Sequence, residues 1–195
     1  MRFIRNFLAI VGLLALIGVG YAIFTLEPHV GEIRALDGQA PQQYSRMLRT
    51  VLETGDAAAA MTYRQQVAEG RSADEVEQAL RAAARERGLR DMGELALDEE
   101  IREAAGDDFP LLRVYMLCDF ETAADMVSHS TAMAAFLPCR IVLQEDGEGD
   151  LWLVTQDLKP LVHGGHPLPA DLAERMLWLQ LSLEAIIKRA AAGRS

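Results

Sequence analysis

Lysine is nearly absent from this chain, which has only Lys159 and Lys188. Cysteine is equally scarce, with Cys118 and Cys139 and no C-x-x-C, so an oxidoreductase of the thioredoxin kind is disfavoured. There is no C-x-x-C-H either, which excludes covalently held c-type haem by pattern. No G-x-S-x-G elbow, phosphate-binding P-loop or dinucleotide glycine fingerprint occurs, so a hydrolase or kinase reading has nothing under it. Basic clusters with interleaved aromatics are missing too. With a formal charge of −10, that argues against a nucleic-acid partner. The richness in arginine and alanine beside so little lysine reflects genome composition rather than function.

What the chain does have is a long uncharged run near its start. Arg2 and Arg5 form a short basic lead, and Phe7 to Leu26 carries no charge. A helix of about 20 residues reaches roughly 30 Å, enough for a bilayer core. The two arginines place the short end in the cytoplasm and the rest outside. A cleaved signal peptide competes, because Gly20-Tyr21-Ala22 offers small residues at the cleavage positions. The run is longer than a usual signal core and no A-x-A follows, so an uncleaved anchor is favoured. The expectation is a single-pass bacterial inner-membrane protein, held through residues 7–26, with its C-terminal domain in the periplasm.

The central stretch, Leu111 to Thr155, reads as strand, helix, strand, tight turn and strand. A period of two puts Leu112, Val114, Met116 and Cys118 on one face and Leu111, Arg113, Tyr115 and Leu117 on the other. The all-apolar face is expected to be buried and the mixed one partly wet. Asp119 suits an N-cap, followed by one helical face running from Ala123 through Met126 and Ser130 to Leu137 before Pro138 stops it. Cys139, Ile141 and Leu143 line a second strand. Asp146-Gly147-Glu148-Gly149-Asp150 then turns back into a hairpin. Cys118-Asp119-Phe120, Leu137-Pro138-Cys139 and the Asp146-Gly147 turn resemble the bacterial family known as domain of unknown function 302. Family members often follow the first cysteine with Asn-Pro, where this chain has Asp119-Phe120. The resemblance covers Met61 to Gly193. It implies an α+β domain of the TATA-binding-protein-like type, β-α-β with further antiparallel strands and a closing helix, and no substrate, cofactor or catalytic residue.

Elsewhere the clearest local signal is Ser72 to Gly88, where Ser72 and Glu75 form a capping box and Val76, Leu80 and Ala83 a buried stripe. Glu77 and Arg81, four apart, suggest a solvated pair. An amphipathic helix is expected over Pro41 to Thr54, with Tyr44, Met47, Leu48, Val51 and Leu52 apolar. Strands are expected within Ala57 to Val67 and over Leu89 to Leu97, then a short acidic helix over Asp98 to Gly106. Gln156 to Pro167 reads as a loop, and Leu168 to Ala191 as a long helix. Its Leu172, Met176, Leu179, Leu183 and Ile186 would cover a sheet. Leu177, Trp178 and Leu181 would extend the apolar surface to a partner, most simply a second copy. The divisions that follow are an anchor at 1–26, a connector at 27–56 and an α+β domain at 57–193.

Cys118 and Cys139 are the first candidates for chemistry. Buried structural thiols, a disulfide permitted by export, and a redox, persulfide or metal role all stay open. A parallel strand-helix-strand unit would put the two sulfurs at opposite edges, too far apart to bond. His163-Gly-Gly-His166 offers two imidazoles for a metal or haem, with Asp157 or a cysteine needed as a further ligand. A solvated turn is the plainer reading. His129, four residues after Asp125, reads as a surface pair. Ser128, Ser130 and Thr131 stand near it without a nucleophile motif. The acidic hairpin turn lacks the span and terminal glutamate of a calcium loop. The sequence therefore favours a non-catalytic, dimeric binding or accessory domain with an unidentified small-molecule, haem or protein ligand. The rival is a thiol-dependent redox or sulfur-transfer protein using Cys118 or Cys139, and a purely structural envelope protein is the third reading.

Overall fold

The computed structural model describes residues 2–26, 29–106 and 109–192. Met1, Glu27, Pro28 and Gly193, which the sequence divisions include, lie outside the described residues. The helices are α1 (Arg2–Leu26), α2 (Val30–Ala35), α3 (Ala40–Thr54), α4 (Ala73–Glu86), α5 (Leu97–Ala105), α6 (Phe120–His129), α7 (Lys159–His163) and α8 (Ala170–Ala192). The strands are β1 (Thr62–Gln66), β2 (Arg90–Ala96), β3 (Leu112–Cys118), β4 (Cys139–Glu145) and β5 (Leu151–Gln156). Among the described residues no helix is long and apolar enough to cross a membrane. The described apolar side chains of α1, from Ile4 to Phe24, are exposed.

The five strands form one sheet in the order β1-β5-β4-β3-β2, and every neighbouring pair is antiparallel. This α+β arrangement corrects the parallel strand-helix-strand premise, because β3 and β4 run in opposite directions on either side of α6. Leu117 pairs with Cys139, so both cysteines sit at the same end of the sheet. The strand-helix-strand over β1, α4 and β2 instead carries the chain from one sheet edge to the other.

Helices α4 and α8 cover one sheet face. Val76, Leu80 and Ala83 of α4 and Leu179, Leu183, Ile186 and Ile187 of α8 pack there on Leu117, Cys139, Ile141, Leu143 and Leu153. Each CH₂ so buried is worth about 0.8 kcal/mol, so this layer dominates the stability of the domain. The start of α4 is fixed as its sequence suggests: the Glu75 N–H donates to Ser72 Oγ and the Ser72 N–H to the Glu75 carboxylate. Gly88 follows the helix with φ of 71°, a left-handed turn that favours glycine.

The expected long helix after Asp119 divides at Ser130, whose backbone is extended, and a 3-10 segment runs from Thr131 to Phe136. The stretch after Gln156 contains the short helix α7 rather than loop alone. Met126, Met133, Val162, Leu172 and Met176 make a second, smaller core under it. On α8, Trp178 and Leu181 remain exposed in the single chain. On α3 the buried face is Ala40 and Gln43, while Tyr44, Leu48 and Leu52 are exposed.

The strongest correction concerns β3. Tyr115 and Leu117, on the face expected to be partly wet, are each 1% exposed beneath the helices. The all-apolar row of Leu112, Val114 and Met116 is the half-covered one. A charged network makes this possible. Arg81 of α4 pairs with Glu77, Asp91 and Glu94 and lies over the Tyr115 ring, while the Tyr115 hydroxyl donates to Glu77. Arg113 pairs with Glu94, Asp98 and Glu99. A bulge between Asp91 and Gly93 supplies the geometry: one extra residue brings Asp91 and Glu94, three apart, to the same side. The Glu77–Arg81 pair is thus the edge of a partly buried cluster rather than a solvated ornament.

Candidate functional site

With α4 and α8 on one face, the other face of the sheet stays open, and the strand register determines what it displays. Arg64, Val154, Val142, Val114 and Leu95 lie side by side across all five strands. The row on one side of it holds Thr62, Gln156, Arg140 and Met116, and the row on the other side Gln66, Trp152, Gln144 and Leu112. An antiparallel sheet with one open face ordinarily alternates apolar-in with polar-out. Here the outward row is aliphatic across four strands. None of these positions is Asp or Glu, in a chain of net charge −10.

A concavity of about 500 Å³ lies over this face, lined by Thr62, Leu95, Leu97, Val114, Met116, Pro138, Arg140, Val142, Val154, Thr155 and Gln156. That volume is within the roughly 300–1,000 Å³ of small-molecule sites, whose usual make-up is an apolar wall with a few polar groups. The polar groups gather at one end. Thr62 Oγ1 donates to the Ala58 carbonyl at 3.0 Å, and Gln156 Nε2 to the Phe136 carbonyl at 3.0 Å. Arg140 is exposed, and among the described residues no carboxylate lies within ion-pair distance of it. Arg64, in the aliphatic row at the β1 edge, is stacked 3.8 Å from the Trp152 ring. Sequence reasoning missed this site because the aliphatic row looked like core, and Arg140 like an ordinary outward residue.

Neither cysteine is among the residues that line the cavity. Both thiols are free and buried. Cys139 packs into the core under α4 and α8, and Gln156 Nε2 is 3.7 Å from its sulfur. Burial raises the pKa of Cys118, with the Asp119 charge adding to it. Burial also pushes Cys139 up to about 12, helped by the neighbouring Cys118. A thiol attacks as its thiolate, so both environments oppose nucleophilic chemistry. In the folded protein at neutral pH neither thiol is expected to react with iodoacetamide on the timescale of a free cysteine, while both react in denaturant. Rapid labelling of one native thiol, read by intact mass, would contradict this.

The histidine loop has a different environment from the one a metal would need. His163 Nδ1 is 3.3 Å from Asp37 and His166 Nε2 is 3.3 Å from Glu32, two separate acids of the connector. The Asp37 N–H donates to the Gly165 carbonyl at 2.8 Å, and the Tyr44 hydroxyl donates to the Gly164 carbonyl. Asp157, the further ligand considered, accepts from Arg46 of α3 at 2.7 Å and from the Lys159 N–H at 3.0 Å. The loop therefore receives the connector and α3. Among the described residues no group of three or more His, Cys, Asp or Glu side chains is arranged for a metal ion.

His129 is exposed, and Asp125 bonds Arg175 of α8, which corrects the expected surface pair. In the hairpin turn, Asp146 accepts from the Glu148 and Asp150 N–H groups and from Trp152 Nε1. The Trp152 bond, with the backbone donors, holds this carboxyl below its usual range. Three N–H donors make it a turn-forming group rather than a cation ligand.

Comparison with known proteins agrees with the fold. No curated protein matches the chain. A crystal structure of an uncharacterised conserved DUF302 protein from Bacillus stearothermophilus superimposes with a TM-score of 0.56 at 18% identity, covering 67% of this chain and 98% of that one. The family model described as "Domain of unknown function DUF302" matches residues 63–186. That is more than half of the chain, taking in every strand and most of α8, and the protein belongs to this family.

Proposed function

We propose that the protein is a binding domain without catalysis of its own, which holds a small apolar ligand on the open face of its sheet. The observation that carries this is the aliphatic row Val154, Val142, Val114 and Leu95 beneath a concavity of about 500 Å³. An apolar surface of this kind, left outward by a soluble domain, is a recognition surface in most proteins that keep one. The same proposal places the domain in the periplasm behind α1. Twenty uncharged residues from Phe7 to Leu26, after Arg2 and Arg5, support that placement. The rival, sulfur chemistry at Cys118 or Cys139, has burial and raised thiol pKa values against it.

The test uses 4-phenylbutanol, a neutral apolar probe, titrated calorimetrically into the full chain in lipid discs, with empty discs as reference. Val142→Asp puts a carboxylate at the middle of the row and is expected to weaken binding at least tenfold, since a charge there must be desolvated. Because Val142 faces outward, the same change should cost the fold only about 1 kcal/mol. Equal binding by both proteins, or no binding by either, would remove the site from this face.

A further inference from the structure

Resting on that reading, the geometry points to an acid as the ligand: a small carboxylate with an unbranched apolar or aryl body, its head at Arg140 and its body along Val142, Val114 and Leu95. The argument begins with charge. The chain carries 29 acidic side chains against 19 lysines and arginines, and so repels anions at long range. Yet the strand positions on the open face hold three arginines, Arg64, Arg90 and Arg140, and no acid. The nearest turn carboxylates, Asp146 and Asp150, are engaged at the far end of the hairpin by Trp152 and Gln66. Asp119, at the cysteine end, is tied to the Thr122 N–H as a helix cap.

The second part is donor supply. At the polar end of the cavity Thr62 and Gln156 spend their donors on Ala58 and Phe136. Among the described residues no carboxylate pairs with the Arg140 guanidinium, whose planar fork suits a carboxylate ligand. Other arginines near the sheet are committed. Arg81 and Arg113 are each held by three carboxylates, Arg64 is stacked on Trp152, and Arg90, at the cysteine end of β2, lies over the Phe120 ring.

Size is the third. From Arg140 on β4 to Leu95 on β2 is two strand spacings, about 10 Å. A chain of medium length or a phenylalkyl group covers that distance, and a bare carboxylate such as acetate would leave the aliphatic row uncovered.

The experiment pairs 4-phenylbutanoate with 4-phenylbutanol on the full chain in lipid discs, for the wild type and Arg140→Gln. The acid is expected to bind the wild type about tenfold more tightly than the alcohol, as an exposed charge-assisted hydrogen bond allows. Arg140→Gln should erase that preference, weakening the acid far more than the alcohol. Equal binding of acid and alcohol to the wild type would overturn the acid assignment while leaving the apolar site standing. A preference for the acid that survives Arg140→Gln would overturn it as well, by placing the head elsewhere. Binding of neither probe would overturn both this inference and the reading it rests on.

Discussion

Replacing Arg113 by alanine should destabilise the fold by about 3 kcal/mol, the low end of the range for breaking a buried ion pair from one side. The acid left behind is Asp98, whose side chain is 1% exposed. Arg113 Nε donates to its Oδ1 at 3.0 Å. Arg102 approaches the other oxygen to 3.0 Å without the alignment of a hydrogen bond. Removing Arg113 therefore leaves the buried Asp98 carboxylate with Arg102 alone and without a hydrogen bond, and it takes the shared cation from Glu94 and Glu99. Arg113→Lys should recover little, because one ammonium cannot serve three acids in different directions. Asp98→Ala should cost less than Arg113→Ala, since Arg113 keeps Glu94 and Glu99. The double variant should then fall well short of the sum of the two. Denaturant melts of the four proteins decide it. Additive losses would mean that Asp98 does not depend on Arg113.

The second large effect is a loss of stability in alkali. Cys139 keeps its proton to about 12 in the folded protein, against an ordinary value of 9.0. Between those values the unfolded chain has released the proton and the folded one still binds it, so stability falls as pH rises. It is fully present below about pH 9. Each unit of the gap is worth about 1.4 kcal/mol, so the whole window amounts to roughly 4 kcal/mol. Tyr115 acts in the same direction, its phenol raised by burial and by the adjacent Glu77 and Glu94 charges. Cys139→Ala should start less stable, because it leaves a small gap in the core, and should then decline less steeply above pH 9. Parallel slopes for variant and wild type would show that Cys139 ionises freely in the fold.

These residues show how far the sequence could be read. The capping box at Ser72 and Glu75, the N-cap at Asp119 and the Asp146 turn are local, and each forms from residues within a few positions of itself. The α8 stripe and the Cys139-Ile141-Leu143 face were equally legible, since each has a single dominant apolar side. The three motifs at Cys118, Leu137 and Asp146 carry the family resemblance in the sequence alone.

β3 could not be read this way, because both of its faces are rich in apolar residues. Which one the helices cover is decided by partners remote in sequence: Glu77 for the Tyr115 hydroxyl, and Glu94, Asp98 and Glu99 for Arg113. Strand direction was hidden for the same reason. A helix between two strands suggests a parallel crossover, yet α6 and the 3-10 segment after it return the chain antiparallel. With that direction misjudged, the open face and Arg140 could not be recognised as a site. The surroundings of the histidine loop were hidden for another reason. Its partners Glu32, Asp37 and Tyr44 lie in a connector whose docking no local pattern announces.

The most direct test of the binding site is a methyl NMR titration of the full chain in lipid discs with 4-phenylbutanoate, observing valine and leucine methyls. A ligand on the open face shifts Val114, Val142, Val154 and Leu95 and leaves Leu179 and Leu183 of α8, on the opposite face of the sheet, unmoved. Shifts confined to Leu181 or to the exposed leucines of α3, with the sheet valines silent, would contradict the account.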